Sequence, residues 1–259
     1  MTAGRTLALI VAFVLASPSA AGEPPLLAII IDDIGYAANA GRRAVALPGP
    51  VAYAVLPDAP HARGLAEAAH ARGKEVLLHL PMQAVEPLPR EPSGGLSLET
   101  TEVEFERQIN EYLARVPYVS GVNNHQGSLL TRHPGHMQWL MNTLKSYDGL
   151  YFVDSYTTAA SVALSVADEN RVPATRRDVF LDGHPGAARV RAELERAIGI
   201  AMDRGAALAI GHPYPETLAV LEAELPGLAE RGIELVSVRR LIDARLSGRG
   251  AAGPAEALE

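Results

Sequence analysis

The sequence predicts an α/β protein built as one (β/α) barrel of irregular outline. Three observations predict it. Eight short apolar runs, rich in Val, Ile and Leu, recur along the chain; runs of that length suit strands buried on both faces of a parallel sheet. Segments of helical period lie between them, and strand–helix alternation implies crossover connections. The alternation is unbroken by any linker, composition shift or internal repeat, which favours a barrel over an open sheet or two domains.

Taken in order, residues 1–22 read as a secretory signal peptide. Arg5 provides the basic start, TLALIVAFVLA an apolar stretch too short to span a bilayer comfortably, and SPSAAG a cleavage site after Ala21 or Gly22. The protein is therefore expected to be exported, to the periplasm, and to carry no integral membrane segment after cleavage. The barrel domain is expected over residues 23–246. Its strands are LLAIIID (26–32), VAYAVL (51–56), EVLLHL (75–80), YVSGVNN (118–124), LYFVD (150–154), DVFLD (178–182), AALAIG (206–211) and IELVSV (233–238). Helical period is visible over 59–73, 101–116, 134–147, 188–205 and 215–232; in the second of these Val103, Phe105, Ile109, Tyr112 and Leu113 share roughly one face. The Pro- and Gly-rich segment 83–100 has no period, and a loop of that length is expected to be functional or disordered. Residues 247–259 read as a flexible tail.

Composition narrows the function. The formal charge is −7, and removal of Arg5 with the signal leaves 22 basic against 30 acidic side chains, or −8. That balance argues against nucleic acid and against anionic membrane surfaces as partners. The chain has no cysteine, which excludes disulfides, thiolate metal sites and thiol nucleophiles. One Trp, eight Tyr and four Phe offer at most a modest sugar-stacking surface.

In a barrel the active site gathers at the C-terminal ends of the strands. Six of the eight candidate strands end in Asp, His or Asn: Asp32-Asp33, His79, Asn123-Asn124-His125, Asp154-Ser155, Asp182 and His212. The strand starts carry nothing comparable. Two adjacent carboxylates repel unless a cation sits nearby. Side chains alternate along a strand, but a turn at its end lets both aspartates reach one site. Two imidazoles and a carboxylate suit a catalytic rather than a structural zinc site, and Asp33, His79 and His125 supply that set. Each residue also has a plainer use. The aspartates suit a helix cap or turn, His79 a core histidine, His125 a tight turn, Asp154 an N-cap and His212 a helix-start turn. His61, His70, His133 and His136 fall on predicted helices, as surface or packing residues, and His184 lies just past a strand end.

The motifs DDIG (32–35), HLPMQ (79–83), GVNNHQGS (121–128), FVDSYTT (152–158) and GHPYPET (211–217), in this order, resemble the divergent polysaccharide deacetylases, an offshoot of the NodB-type carbohydrate esterases. The resemblance spans roughly residues 24–245. It implies an irregular (β/α) barrel of the polysaccharide deacetylase type, with Asp32 as general base and Asp33 as a metal ligand. It makes His79 the first of two ligand histidines. Gln83 stands where the second belongs, and His125 is proposed to fill that place. The arginine that steadies the base in the third motif is replaced here by Asn123, Asn124 and His125. His212 becomes the acid for the leaving group, with Asp154 orienting it, and Asn123, Asn124, Ser155 and Asp182 are assigned to the substrate. The implied cofactor is a divalent metal, zinc first, with cobalt, nickel, manganese or iron also compatible with such ligands. The implied reaction removes an acetyl group from a glycan, with peptidoglycan or another envelope polysaccharide as substrate. A catalytically inactive glycan- or partner-binding barrel is the alternative that the departures at Gln83 and the third motif motivate. A two-carboxylate glycosidase on the same barrel would survive chelation. A serine hydrolase is disfavoured, because neither Ser128 nor Ser155 sits in a G-x-S-x-G elbow.

Overall fold

The computed structural model describes residues 23–86 and 95–248. The expected signal peptide, residues 87–94 of the long loop and residues 249–259 of the tail lie outside the described residues. Among the described residues nine strands form one parallel sheet: β1 Leu26–Ile34, β2 Ala52–Val55, β3 Val76–Met82, β4 Val119–Gln126, β5 Tyr151–Asp154, β6 Ala174–Arg176, β7 Val179–Phe180, β8 Ala206–Gly211 and β9 Glu234–Leu235. The order across the sheet is β6-β5-β4-β3-β2-β1-β8-β7, with β9 added to β1. Among the described residues seven α-helices link the strands and an eighth follows the last: α1 Ala38–Val45, α2 Ala62–His70, α3 Glu102–Arg115, α4 Pro134–Lys145, α5 Ala163–Glu169, α6 Ala187–Arg204, α7 Pro215–Glu224 and α8 Val238–Leu246. No helix among the described residues is long and apolar enough to cross a membrane.

The sheet curls into a half-barrel with an inside and an outside, and the period-two rule sorts its residues. Leu26, Ala28 and Ile30 of β1 join Ala52, Ala54, Leu77, Tyr151, Val153, Leu208 and Ile210 in an inner cluster. Leu27, Ile29 and Ile31 pack outward against the helices. Val238, Leu241 and Ile242 of α8 complete the inner cluster, so α8 stops the end of the barrel where the strands begin. The Tyr151 ring needs its neighbour to be glycine: a Cβ on Gly121 would stand 2.3 Å from that ring.

The ladder does not close. β6 and β7 are its two ends, and the seam between them carries no strand pairing. Arg245 of α8 fills this seam. Its guanidinium donates to Thr175 Oγ1 at 2.6 Å, to Asp178 Oδ2 at 2.5 Å and, at longer range, to the carbonyls of Arg176 and Ala206. Arg245 and Asp178 are each only 9 % exposed. One charged side chain thus does the bridging that a strand pair does elsewhere.

The predicted strand run 233–238 is mostly not strand. Only Glu234–Leu235 pairs; Ser237 then caps α8, its Oγ accepting from Arg240 N. Glu75 reinforces that start by accepting the Val238 and Arg239 N–H groups. The sequence pattern also passes over α1, α5, α8 and β6, none of them longer than nine residues. Val103, expected on the buried face of α3, is exposed, whereas Phe105, Ile109 and Tyr112 are buried.

Candidate metal centre and active site

The inside parity carries chemistry to the mouth of the barrel. Continuing Leu26, Ala28, Ile30 along β1 gives Asp32; Leu77 on β3 leads to His79; Gly121 on β4 leads to Asn123 and His125; Leu208 and Ile210 on β8 lead to His212. Asp33 has the opposite parity and still reaches the same site. Its φ is +55°, and the ladder between β1 and β2 slips between Ile31 and Ile34. Aspartate is among the few residues that tolerate this left-handed conformation. The turn is what lets two adjacent carboxylates face one mouth.

Three ligand-type atoms form a nearly equilateral triangle there. Asp33 Oδ1 lies 3.2 Å from His79 Nε2 and 3.1 Å from His125 Nδ1, and the two ring nitrogens are 3.1 Å apart. The Asp33 side chain is 32 % exposed, yet its Oδ1 is sealed from solvent and accepts no hydrogen bond of regular geometry. The His79 tautomer follows from its neighbour. Asn123 Nδ2 donates to Asp32 Oδ1 at 2.8 Å, so the amide oxygen faces His79 Nδ1 at 2.9 Å. His79 then carries its hydrogen on Nδ1 and turns the Nε2 lone pair into the triangle. Three atoms packed this closely, one of them a sealed carboxylate oxygen, call for a shared positive charge. Ligand atoms around a four-coordinate zinc with bonds of about 2.0–2.1 Å stand roughly 3.3 Å apart. The triangle and its donor set therefore fit a divalent metal, with Asn123 as the outer partner that orients a ligand imidazole.

Two titratable groups flank the triangle. Asp32, 4 % exposed, lies 3.7 Å from His79 Nε2 through its Oδ2. Burial pushes its carboxyl above the ordinary range. The His79 and His212 rings oppose this, the Asp33 charge adds to it, and the Asn123 hydrogen bond opposes it further. Burial also works against ionising Asp33, but the His125 and His79 imidazoles outweigh it and hold that carboxyl well below its usual range. Environment thus drives the two adjacent aspartates apart, one toward holding a proton more readily and one toward permanent charge.

On the far side His212 Nε2 lies 3.6 Å from Asp33 Oδ2. Its Nδ1 meets Asp182 Oδ1 at 2.9 Å, while Asp182 Oδ2 accepts the His212 backbone N–H at 2.6 Å and the Thr217 hydroxyl at 2.8 Å. Phe180 packs edge-on against the His212 ring and Tyr214 stacks on it. Burial lowers the His212 pKa, but the Asp182 hydrogen bond and the charges of Asp33, Asp182 and Asp32 outweigh it and raise the net value.

Five residues make contacts other than those their sequence-based roles imply. Asp154 does not orient His212. It has the outward parity of Phe152 and spends its carboxylate on Tyr156 N at 2.8 Å and Ser161 Oγ at 2.7 Å. Asp182, assigned to the substrate from sequence, spends both carboxylate oxygens on holding His212 and Thr217. Asn123 and Asn124 are fully buried; the first braces Asp32 and His79, and the second ties Gln126 O to Ser155 N. Ser155 is buried as well, its Oγ accepting from Asn123 at 3.2 Å. Asn123, Asn124 and Ser155 present no side chain to a sugar. Gln83, in the place of a second ligand histidine, uses its Oε1 to accept Leu98 N and so fastens the segment that leads into α3.

Three neighbours of the site were not anticipated. Thr217 supports Asp182 from the first turn of α7, and Phe180 buttresses His212. Arg177 donates to the carbonyls of Ser155 and Tyr156 and stacks over Phe180 at 4.6 Å. Burial lowers the Arg177 pKa, while the charges of Asp32 and Asp154 pull it up, so a cation stands near the base. Arg177 sits in the two-residue step between β6 and β7, and β6 left no apolar run to mark it.

The fold and the cluster at its mouth define a class, the NodB-type (β/α) barrel. The chain belongs to the divergent polysaccharide deacetylase family, whose model matches residues 29–242. It is 42 % identical over 218 residues to the uncharacterized protein YibQ of Escherichia coli K12, covering 84 % of this chain and 67 % of that one. It is 39 % identical over 215 residues to an uncharacterized protein of Haemophilus influenzae Rd, covering 83 % and 76 %. Among solved structures, uncharacterized protein ATU2773 of Agrobacterium tumefaciens C58 matches with a TM-score of 0.80 at 22 % identity, over 86 % of this chain and 92 % of that chain. The catalytic domain of a peptidoglycan N-acetylglucosamine deacetylase from Eubacterium rectale matches at 0.53 and 15 % identity, over 86 % and 90 %. These two likenesses show the shared barrel.

Proposed function

We propose that this protein is a metal-dependent hydrolase that removes acetyl groups from an envelope polysaccharide, peptidoglycan being the leading substrate. The observation that carries the reading is the Asp33–His79–His125 triangle set between a buried carboxylate and a carboxylate-held histidine. Asp33, His79 and His125 would hold the divalent ion, with zinc as first choice. When bound, such an ion supplies Lewis acidity to an acyl oxygen and to water.

The protein's own groups divide the proton work. Asp32, its affinity for protons raised by burial, takes one from the attacking water. Asn123 keeps Asp32 and His79 in register. His212 delivers a proton from Nε2 to the departing nitrogen or oxygen, and Asp182 keeps the Nδ1 hydrogen in place so that Nε2 is the atom that exchanges. The export signal read in residues 1–22 and the lack of cysteine support an exported, periplasmic protein. The Eubacterium rectale likeness supports peptidoglycan through its barrel only.

The test is metal content and acetate release on the purified mature chain, beside Asp33→Ala and His125→Ala. Near-stoichiometric zinc, lost in both folded variants, together with acetate release abolished by chelation, is the expected result. Folded protein that takes up no zinc, cobalt, nickel, manganese or iron overturns the reading and leaves a glycan- or partner-binding barrel. Glycan hydrolysis that survives chelation would instead indicate a two-carboxylate glycosidase.

A further inference from the structure

Beside the His212–Asp182 pair lies a cavity of about 300 Å³ that the proposed chemistry does not use. It opens between the turn after β7 and the start of α7. Asp182 and Thr217, joined by their hydrogen bond behind His212, form one wall. Tyr214 forms another; its ring stacks on His212 with centroids 5.3 Å apart and planes 28° apart, yet Tyr214 remains 51 % exposed. Pro185 and Pro215 extend the apolar lining, and the exposed His184 and Glu216 stand at the rim.

We infer that this cavity is a subsite for one pyranose ring, the sugar next to the one that carries the scissile acetyl group. The inference rests on the deacetylase reading and extends it to the substrate's length. His212 Nε2 faces the metal triangle, so the departing atom and the sugar attached to it lie on the His212 side. Tyr214 both stacks on His212 and lines the cavity, so it joins the two places along which a continued glycan chain would run. A tyrosine with an apolar face and a polar tip suits a ring that has C–H faces and hydroxyl edges. The volume is at the small end of ligand sites, which run from about 300 to 1,000 Å³, and so takes a single ring. Glu216 stands at the rim with negative charge, which favours a neutral or amino sugar over an anionic one.

The test is calorimetric binding of N-acetylglucosamine and its β-1,4-linked dimer to the metal-loaded mature chain. Alongside are Tyr214→Ala, which removes the stacking wall, and His184→Trp, which obstructs the rim without touching the core. The dimer is expected to bind about 10-fold more tightly than the monomer to wild type, and by less than about threefold in both variants. A wild-type protein that does not distinguish dimer from monomer, or a preference that survives in both folded variants, overturns the subsite. Acetate release measured in parallel separates the two readings. A dimer preference lost in the variants without any acetate release keeps the subsite and rejects the deacetylase. Acetate release without a dimer preference does the reverse.

Discussion

Asn123 makes no contact with the proposed metal, yet its replacement by alanine should weaken metal binding. The side chain satisfies two buried groups at once, Asp32 Oδ1 at 2.8 Å and His79 Nδ1 at 2.9 Å. Both partners are almost sealed, at 4 % and 2 % exposure. Truncation leaves each without its partner, at a cost of about 1–3 kcal/mol apiece, so a total of about 3 kcal/mol is a moderate expectation. For a domain of about this size that lowers Tm by roughly 6–12 °C. Losing the outer partner of a ligand imidazole should weaken metal affinity about 10- to 100-fold. The assay is competitive titration of zinc against a chromophoric chelator, with circular dichroism to establish folding. Asn123→Asp sharpens it: that variant keeps an acceptor for His79 and loses the donor to Asp32, so its metal affinity should fall less than in Asn123→Ala. Equal zinc affinity in wild type and a folded Asn123→Ala would refute the argument that Asn123 sets the His79 tautomer.

Three further outcomes follow from the same geometry. Asp182→Asn should cut acetate release about 100-fold or more while leaving metal content unchanged. Because Asp182 helps raise the His212 pKa above its ordinary value, the acid form persists to higher pH in wild type, and the alkaline limb of the pH–rate profile should move to lower pH in the variant; a limb that stays put contradicts the pairing. Arg245→Met should destabilise the barrel by about 3–5 kcal/mol, since it strips the partner from a buried carboxylate, and an unchanged Tm would show that the seam needs no guanidinium. Gly121→Ala should cost about 1–3 kcal/mol or more through overpacking against Tyr151, and Tyr151→Leu in the same chain should recover part of that loss; additive losses would place the clash elsewhere.

Much of the site was legible because it is written at strand ends. The run AIIIDDIG ends an apolar strand in two carboxylates, and HLPMQ, NNHQGS and AIGHPYP end theirs in histidine or asparagine. Pooling those ends at one mouth was enough to bring Asp33, His79 and His125 together. Assigning the histidine's partner failed at Asp154 for a reason that lay in the same residues. Tyr151 and Val153 face inward, so Asp154 faces out, and a one-residue difference in parity moves a side chain to the other side of the sheet. Asp182 closes the run DVFLD, but only two residues of that run form β7, so Asp182 lies past the strand end and its partner is not legible from parity.

By itself the sequence determined the parallel α/β alternation, the ends of the long strands and the acid–imidazole composition of the mouth, because these follow from local periodicity and chain order. Only the tertiary structure decided which polar groups are consumed inside the protein and which remain for chemistry. Asn123 and Asn124 look available in a string of letters, and it is burial with filled hydrogen bonds that removes them from the surface. The left-handed turn at Asp33 and the Arg245 seam are of the same kind. Each depends on groups far apart in the chain, Arg245 meeting Asp178 across 67 residues, and no local pattern records a contact that exists only once the sheet has curled.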